Sequence, residues 1–163
     1  MVKTFYKCLS RRWSSFSKYY TAGSKSQSTV SCAVWHPESQ SSATFTLHSE
    51  SSIYTGELYA IYKTTLKILA HDSNTTKYLI ISDSKYALKA LSSYNKSDTH
   101  HLIYEIKAIL LQLKQQRKIV HLLWVPSHIG IDGNKHVDSI AANHFSHTLS
   151  MPILHSDITA TDR

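Results

Sequence analysis

The spacing of the apolar residues changes near residue 55, and this change limits the fold more than any other feature of the sequence. Before it, three short apolar runs lie between Ser-rich turns, at residues 17–21, 30–35 and 43–48. In the third run Phe45 and Leu47 alternate with polar neighbours, as in a half-exposed strand. After it, residues 56–70 carry apolar side chains at helical spacing. The chain is therefore predicted to begin with an antiparallel meander and to continue with a helix.

The rest of the sequence alternates between helices and strands. Short apolar runs typical of buried strands are interleaved with segments that follow helical spacing. The predicted strands lie at residues 78–81 and 119–125, and the predicted helices at 84–91, 102–117 and 134–145. Strands interleaved with helices indicate an α/β fold. We expect a mixed five-stranded sheet, with three antiparallel strands followed by two parallel ones, flanked by helices.

The length of the chain fits one compact domain. Its 163 residues can bury roughly two thirds of the surface that the unfolded chain exposes, so no disulfide is needed for stability. The domain is predicted at residues 17–146. Residues 1–16 show no clear period and are interpreted as a basic lead-in, either flexible or the end of something upstream. Residues 147–163 are interpreted as a polar tail.

The charge of the chain is positive and unevenly distributed. The formal net charge is +7, from 18 Lys and Arg against 11 Asp and Glu, and no acidic residue precedes Glu38. Six basic residues come before it: Lys3, Lys7, Arg11, Arg12, Lys18 and Lys25. A basic surface concentrates polyanions around a protein. Nucleic acid is the partner that this favours, although an excess of this size is also common on proteins without such a partner.

The cysteines and the apolar segments bear on the compartment. Cys8 and Cys32 are the only cysteines, and they form neither a CxxC pair nor a metal-ligand spacing. This usage favours a reducing compartment. The beginning of the sequence lacks the apolar core of a signal peptide, and no run approaches the roughly 20 apolar residues that span a bilayer. We expect a cytoplasmic or nuclear protein that does not associate with membranes.

Three carboxylates stand at positions where a metal site could form. Glu57 is predicted in the first turn of a helix that Thr55 caps, Asp83 follows a buried strand, and Asp138 lies one turn into the last helix. Magnesium prefers oxygen ligands, and two such ions can stabilise the attacking and leaving oxygens of a phosphoryl transfer. Taken singly, each acid is better interpreted without a metal: Glu57 as a residue that complements the helix dipole, Asp83 as a helix cap and Asp138 as a solvated charge.

The residues around these three acids resemble the motifs of type 1 ribonucleases H. GELYAI at residues 56–61 resembles the start of their first catalytic helix, and ISDSKYAL at residues 81–88 resembles their third motif. WVPSHIGIDGN at residues 124–134, followed by Val137 and Asp138, is similar to their fourth motif, in the wording of non-LTR retrotransposon ribonuclease H domains. The resemblance runs from about Tyr19 to Phe145. The four glycines of the chain all fall inside the motifs: Gly23, Gly56, Gly130 and Gly133.

The resemblance implies a substrate and a set of roles. The substrate would be the RNA strand of an RNA–DNA hybrid, and Glu57, Asp83 and Asp138 would hold two Mg²⁺ ions, with Mn²⁺ as a substitute. His128 would assist the leaving group or product release, because a histidine changes charge near neutral pH. Gly23 and Ser24 would contact the RNA strand. A reverse transcriptase in the same polyprotein is an expected partner, and the domain is expected to be a monomer.

The first metal-binding position departs from the family pattern. The family motif Thr-Asp-Gly-Ser is replaced by Thr21-Ala22-Gly23-Ser24, and the resemblance implies that the missing aspartate bridges both ions. Alanine cannot ligate a metal, so we expect weakened metal binding and little or no hydrolysis in an intact fold. The alanine fits a decayed copy, an engineered substrate trap or a domain that now only binds.

Two other functions remain open at this stage. One is a hybrid-binding module without catalytic activity. The other is an integrase-like nuclease with the same fold, against which the loop at His128 argues.

Overall fold

The computed structural model describes residues 1–71, 74–93 and 100–143. Its strands are β1 (Ser17–Lys25), β2 (Val30–His36), β3 (Ser41–Leu47), β4 (Lys77–Ser82) and β5 (Ile119–Trp124). Its helices are α1 (Val2–Arg12), α2 (Ile53–Ala70), α3 (Lys85–Ser92), α4 (His101–Gln115) and α5 (Asp132–Ala142). The predicted polar tail at residues 147–163 and the end of the predicted last helix lie outside the described residues.

The five strands form one mixed sheet in the order β3-β2-β1-β4-β5. Strand β2 pairs antiparallel with both β1 and β3, whereas β4 pairs parallel with both β1 and β5. The predicted mixed α/β sheet is therefore confirmed. In the parallel pair Thr21 lies opposite Ser82, so Ala22 and Asp83 are the next residues along two adjacent strands.

Each face of the sheet carries its own hydrophobic core. Successive residues of a strand point to opposite faces, and Tyr19 and Tyr20 accordingly belong to different cores. The first core packs residues of α2, α3 and α4 against the sheet, including Leu58 and Ile106. The second core packs α1 and α5 against the other face. The result is three layers, with the sheet in the middle.

Helix α2 begins earlier than its apolar period indicates. Its first residue is Ile53, and the hydroxyl of Ser52 accepts a hydrogen bond from the Thr55 amide at 3.0 Å. The predicted cap at Thr55 is therefore wrong, because the Ser-rich segment before the helix offered an earlier hydroxyl. Glu57 consequently lies beyond the first turn, where it is 8% exposed.

Residues 2–12 form a helix that the sequence pattern did not indicate. Helix α1 rests on the second core through Phe5 and Leu9, and the residues that follow it, Trp13 and Phe16, pack there as well. The ring of Trp13 lies 4.9 Å from the ring of His121 on β5. None of the helices in the described ranges combines the length and the apolar character that crossing a membrane requires.

Candidate active site

Glu57 reaches the sheet because two glycines allow α2 to approach it. A Cβ atom at Gly23 would lie 3.0 Å from the Glu57 nitrogen, and one at Gly56 would lie 3.3 Å from a methyl carbon of Val30. Both distances are so short that the neighbouring atoms would have to shift if either glycine carried a side chain. The Gly23 amide donates a hydrogen bond to the Glu57 carboxylate. The second carboxylate oxygen, Oε2, is buried and has no hydrogen-bond partner within the described residues.

Asp83 follows the last residue of β4, at the end of the sheet where α/β folds commonly bind ligands. Its backbone carbonyl accepts a hydrogen bond from the indole nitrogen of Trp124 at 3.1 Å. The amide of Ser84 donates to the Ser82 hydroxyl at 3.1 Å. These contacts hold the turn between β4 and α3 in place.

Asp138 lies on α5, and one amide side chain connects it to Asp83. The Nδ2 atom of Asn134 donates to Asp138 Oδ2 at 3.1 Å and to Asp83 Oδ2 at 3.3 Å. Asn134 and Asp138 share a helix face because they are four residues apart. Asn134 is 2% exposed, and its carbonyl oxygen has no partner within the described residues. Sequence reasoning assigned no role to Asn134, although this spacing was visible.

The loop before α5 contributes His128. The residue has a left-handed backbone, with φ of 57°, and Gly130 has φ of 83°. Such values are uncommon for residues other than glycine, but histidine is among those that tolerate them better. His128 is solvent-exposed, which leaves its imidazole accessible to a bound ligand.

One cavity of about 370 Å³ brings the predicted site residues together. Its lining includes all six of them: Gly23, Ser24, Glu57, Asp83, His128 and Asp138. Ile53, Ser84, Ser127 and Ala142 complete the lining. We call this space the carboxylate cavity. Residues from five separate segments of the chain thus converge, and the three acids share one solvent-accessible space.

Burial and neighbouring negative charges raise the pKa values of Glu57 and Asp138. Burial first, and then the negative charges of Asp83 and Asp138, raise the pKa of Glu57 to about 8, while the hydrogen bond from the Gly23 amide opposes this shift. Burial, followed by the charge of Asp83, raises the pKa of Asp138 to about 6, while His128 opposes this shift. Like charges in one poorly solvated space favour protonation. Near neutral pH the cavity therefore carries less negative charge than three free carboxylates.

A family model described as RNase H matches residues 16–146. The chain belongs to the RNase H family. Members of this family act on RNA–DNA hybrids and generally use divalent metal ions. In this RNase H domain, the carboxylate cavity lies at the ends of β1 and β4 and beside α5, within the matched region.

Ala22 lies in the second core of this RNase H domain. It is fully buried and belongs to the same core as Ala33 and Val137. It follows Thr21, the partner of Ser82, and Val137 directly precedes Asp138. The methyl group therefore occupies an apolar position in this core, and it offers no ligand atom.

The donor set of this RNase H domain does not fit a two-ion site. The unpartnered Oε2 atom of Glu57 could ligate a metal ion, and the Asn134 amide occupies one oxygen, Oδ2, of each of Asp83 and Asp138. Among the described residues, no group of three or more His, Cys, Asp or Glu is arranged to hold a metal ion. Magnesium demands near-ideal octahedral geometry with several oxygen ligands. As placed in the structure, the described acids do not form such a site, and Ala22 adds no ligand atom.

Proposed function

We propose that this RNase H domain recognises RNA–DNA hybrids at the carboxylate cavity and cleaves the RNA strand weakly or not at all, because Ala22 replaces the first metal-binding aspartate. The observation that carries the proposal is the convergence of Glu57, Asp83, Asp138 and His128 on one cavity next to a buried alanine. The family supplies the substrate class. Ala22, which is buried and offers no ligand atom, argues for impaired hydrolysis.

Recognition of the hybrid depends on groups that do not require a metal. Gly23 and Ser24 line the cavity, and a serine hydroxyl can both donate and accept hydrogen bonds. Proteins distinguish RNA from DNA through the 2′-hydroxyl, which both donates and accepts hydrogen bonds. We assign the RNA-strand contacts to Gly23 and Ser24. His128 is assigned the proton transfer at the leaving group in a domain whose metal site is complete.

A second candidate is a module that only binds hybrids. The favouring observation is Asn134, whose amide nitrogen holds the two aspartates together without a metal ion. A cavity stabilised in this way keeps its shape while it lacks catalytic ions. Restoring the missing carboxylate should allow an impaired hydrolase to cleave the RNA strand, whereas a binding module should stay inactive.

The retrotransposon assignment rests on the wording of the fourth motif, WVPSHIGIDGN at residues 124–134, and the compartment on the use of cysteine. We propose a non-LTR retrotransposon origin, a reverse transcriptase in the same polyprotein and a monomeric domain that acts in the cytoplasm or nucleus. Limited proteolysis of the native parent protein and mass spectrometry of the fragments would test the linkage to a polymerase.

The decisive experiment compares the unmodified chain with Ala22→Asp. Cleavage of an end-labelled RNA–DNA hybrid is measured in Mg²⁺ and in Mn²⁺, and binding of the same hybrid and of duplex DNA is measured in a chelator. We expect little or no cleavage by the unmodified chain, cleavage by Ala22→Asp, and preference for the hybrid in both. The control is Ala22→Asp combined with Asp138→Asn, which should again be inactive. Robust cleavage by the unmodified chain would refute impairment, and inactive Ala22→Asp with retained hybrid preference would favour the binding module.

A further inference from the structure

Helix α1 has two faces of opposite character. Val2, Phe5, Tyr6 and Leu9 are partly buried, and the last three of them face α5 and the second core. Lys3, Lys7 and Arg11 are exposed, and residues four apart in a helix lie on the same side. The helix contains no acidic residue. We call the row formed by Lys3, Lys7 and Arg11 the basic face.

The charges of the basic face are not neutralised by the protein. Within the described ranges, no salt bridge joins Lys3, Lys7 or Arg11 to an acid, whereas Lys18 nearby pairs with Glu38 at 3.6 Å. Lys7 also borders an open groove of about 580 Å³, which includes the side chains of Ser10 and Ser14. Ammonium groups next to hydroxyl groups are the donors that bind phosphate oxygens in nucleic-acid complexes.

Tyr6 fixes α1 to the helix that carries Asp138. Its hydroxyl donates to Asp132 Oδ2 at 3.1 Å and accepts from the Asp132 amide at 2.9 Å. Asp132 is the first residue of α5, and Asp138 follows six residues later, about 9 Å along the helix axis. Tyr6 therefore fixes the position of α1, and with it the basic face, relative to the helix that carries Asp138.

We propose that the basic face of α1 is an accessory site for the phosphate backbone of a nucleic-acid duplex bound at the carboxylate cavity. The proposal rests on the proposed hybrid recognition and adds a second contact region to it. Phosphate contacts supply affinity without reading sequence. The basic face would thus increase affinity for every duplex, while the cavity provides the preference for hybrids.

The test compares two variants of the full chain that lose equal charge. Lys7→Gln with Arg11→Gln removes two cations from the basic face, and Lys89→Gln with Lys114→Gln removes two exposed cations from α3 and α4. Glutamine has nearly the helix propensity of lysine and arginine, and circular dichroism verifies the fold. Binding of a 20-base-pair RNA–DNA hybrid and of duplex DNA is measured over a range of salt concentrations in a chelator.

We expect the basic-face variant to lose roughly tenfold or more in affinity for both duplexes at low salt, and its salt slope to decrease by about two, because each phosphate contact contributes about 0.9. The α3 and α4 variant should stay near the unmodified chain. Exchanging the two cations, Lys7→Arg with Arg11→Lys, should retain binding. Equal losses in both charge variants, or no loss in either, would overturn the inference. If the unmodified chain binds duplexes without preferring hybrids, the proposed function fails while the inference on α1 stands, and if it binds neither duplex both fail.

Discussion

Gly133 allows the first turn of α5 to lie directly on the ring of Tyr20. A Cβ atom at this position would collide with carbon atoms of that ring, and Tyr20 is 4% exposed, so the ring has little room to move. Gly133→Ala should therefore lower the free energy of unfolding by about 1–3 kcal/mol, the usual cost of overpacking. Urea denaturation followed by circular dichroism measures the change.

A double-mutant cycle isolates the cause of this loss. Tyr20→Leu removes the ring, and in that background Gly133→Ala should cost clearly less than it does alone. A coupling energy near zero would mean that the collision is not the source of the loss.

Glu57 should make the fold less stable as the pH rises. Its pKa in the folded protein is raised to about 8 from an ordinary value of 4.5, so the folded state retains a proton that the unfolded state releases. The favourable contribution of this proton is fully present below the ordinary pKa of 4.5 and is lost as the pH rises from there through about 8. Glu57→Gln should therefore raise the free energy of unfolding at pH 8 by about 1 kcal/mol or more, since one pKa unit corresponds to about 1.4 kcal/mol.

The measurement is chemical denaturation at pH 6 and pH 8 in the presence of a chelator. The matched control is Glu50→Gln, which changes an exposed side chain. The difference in its free energy of unfolding between pH 6 and pH 8 should be nearly the same as in the unmodified chain. A Glu57→Gln protein that loses stability equally at both pH values would contradict the assignment.

At the scale of single elements, the start of α2 depends on Ser52. Its hydroxyl accepts the Thr55 amide at 3.0 Å, and it also lies 2.9 Å from the Thr55 hydroxyl. Ser52→Ala should cost about 1 kcal/mol of stability. Ser52→Asn should retain most of the stability that the cap provides, because asparagine caps helices as well as serine does. The loss of stability is measured as the shift in the denaturation midpoint. Equal losses in Ser52→Ala and Ser52→Asn would show that Ser52 does not act as a helix cap.

The elements could be predicted from the sequence where their period was regular. The strands β4 and β5 and the helices α2 and α4 follow clear apolar patterns, and the structure contains them close to the predicted positions. Helix α1 was missed although Val2, Phe5, Tyr6 and Leu9 have helical spacing. The many cations around these four residues obscured the pattern, and only packing against β5 and α5 gives the apolar side a place to bury.

At the scale of the whole molecule, the sequence predicted which acids would meet but not how they are held. Asp83 and Ala22 follow paired residues of two parallel strands, so their proximity is a consequence of the topology. The bridging position of Asn134 and the contact of Tyr6 with Asp132 depend on distances between elements far apart in the chain. The apolar periodicity of the sequence carries no information about the distances between these elements.

The metal site offers a whole-molecule test that does not depend on cleavage. Ala22→Asp places a fourth carboxylate in a fully buried position beside acids whose pKa values are already raised to about 8 and about 6. Without metal this should lower the melting temperature, because like charges are buried together. With Mg²⁺ at a hundredfold excess over its dissociation constant, binding to the folded state should raise the free energy of unfolding of Ala22→Asp by on the order of 2–3 kcal/mol.

The unmodified chain is the reference for this test. If the missing ligand is the carboxylate that Ala22 replaces, Mg²⁺ should leave the melting temperature of the unmodified chain almost unchanged and should raise that of Ala22→Asp. Ala22→Asn is the matched control, since it adds a polar group of similar size without the charge and should gain little from Mg²⁺. An equal rise in the unmodified chain and Ala22→Asp would mean that Glu57, Asp83 and Asp138 hold the ion unaided. The impairment would then have to lie elsewhere than in metal binding.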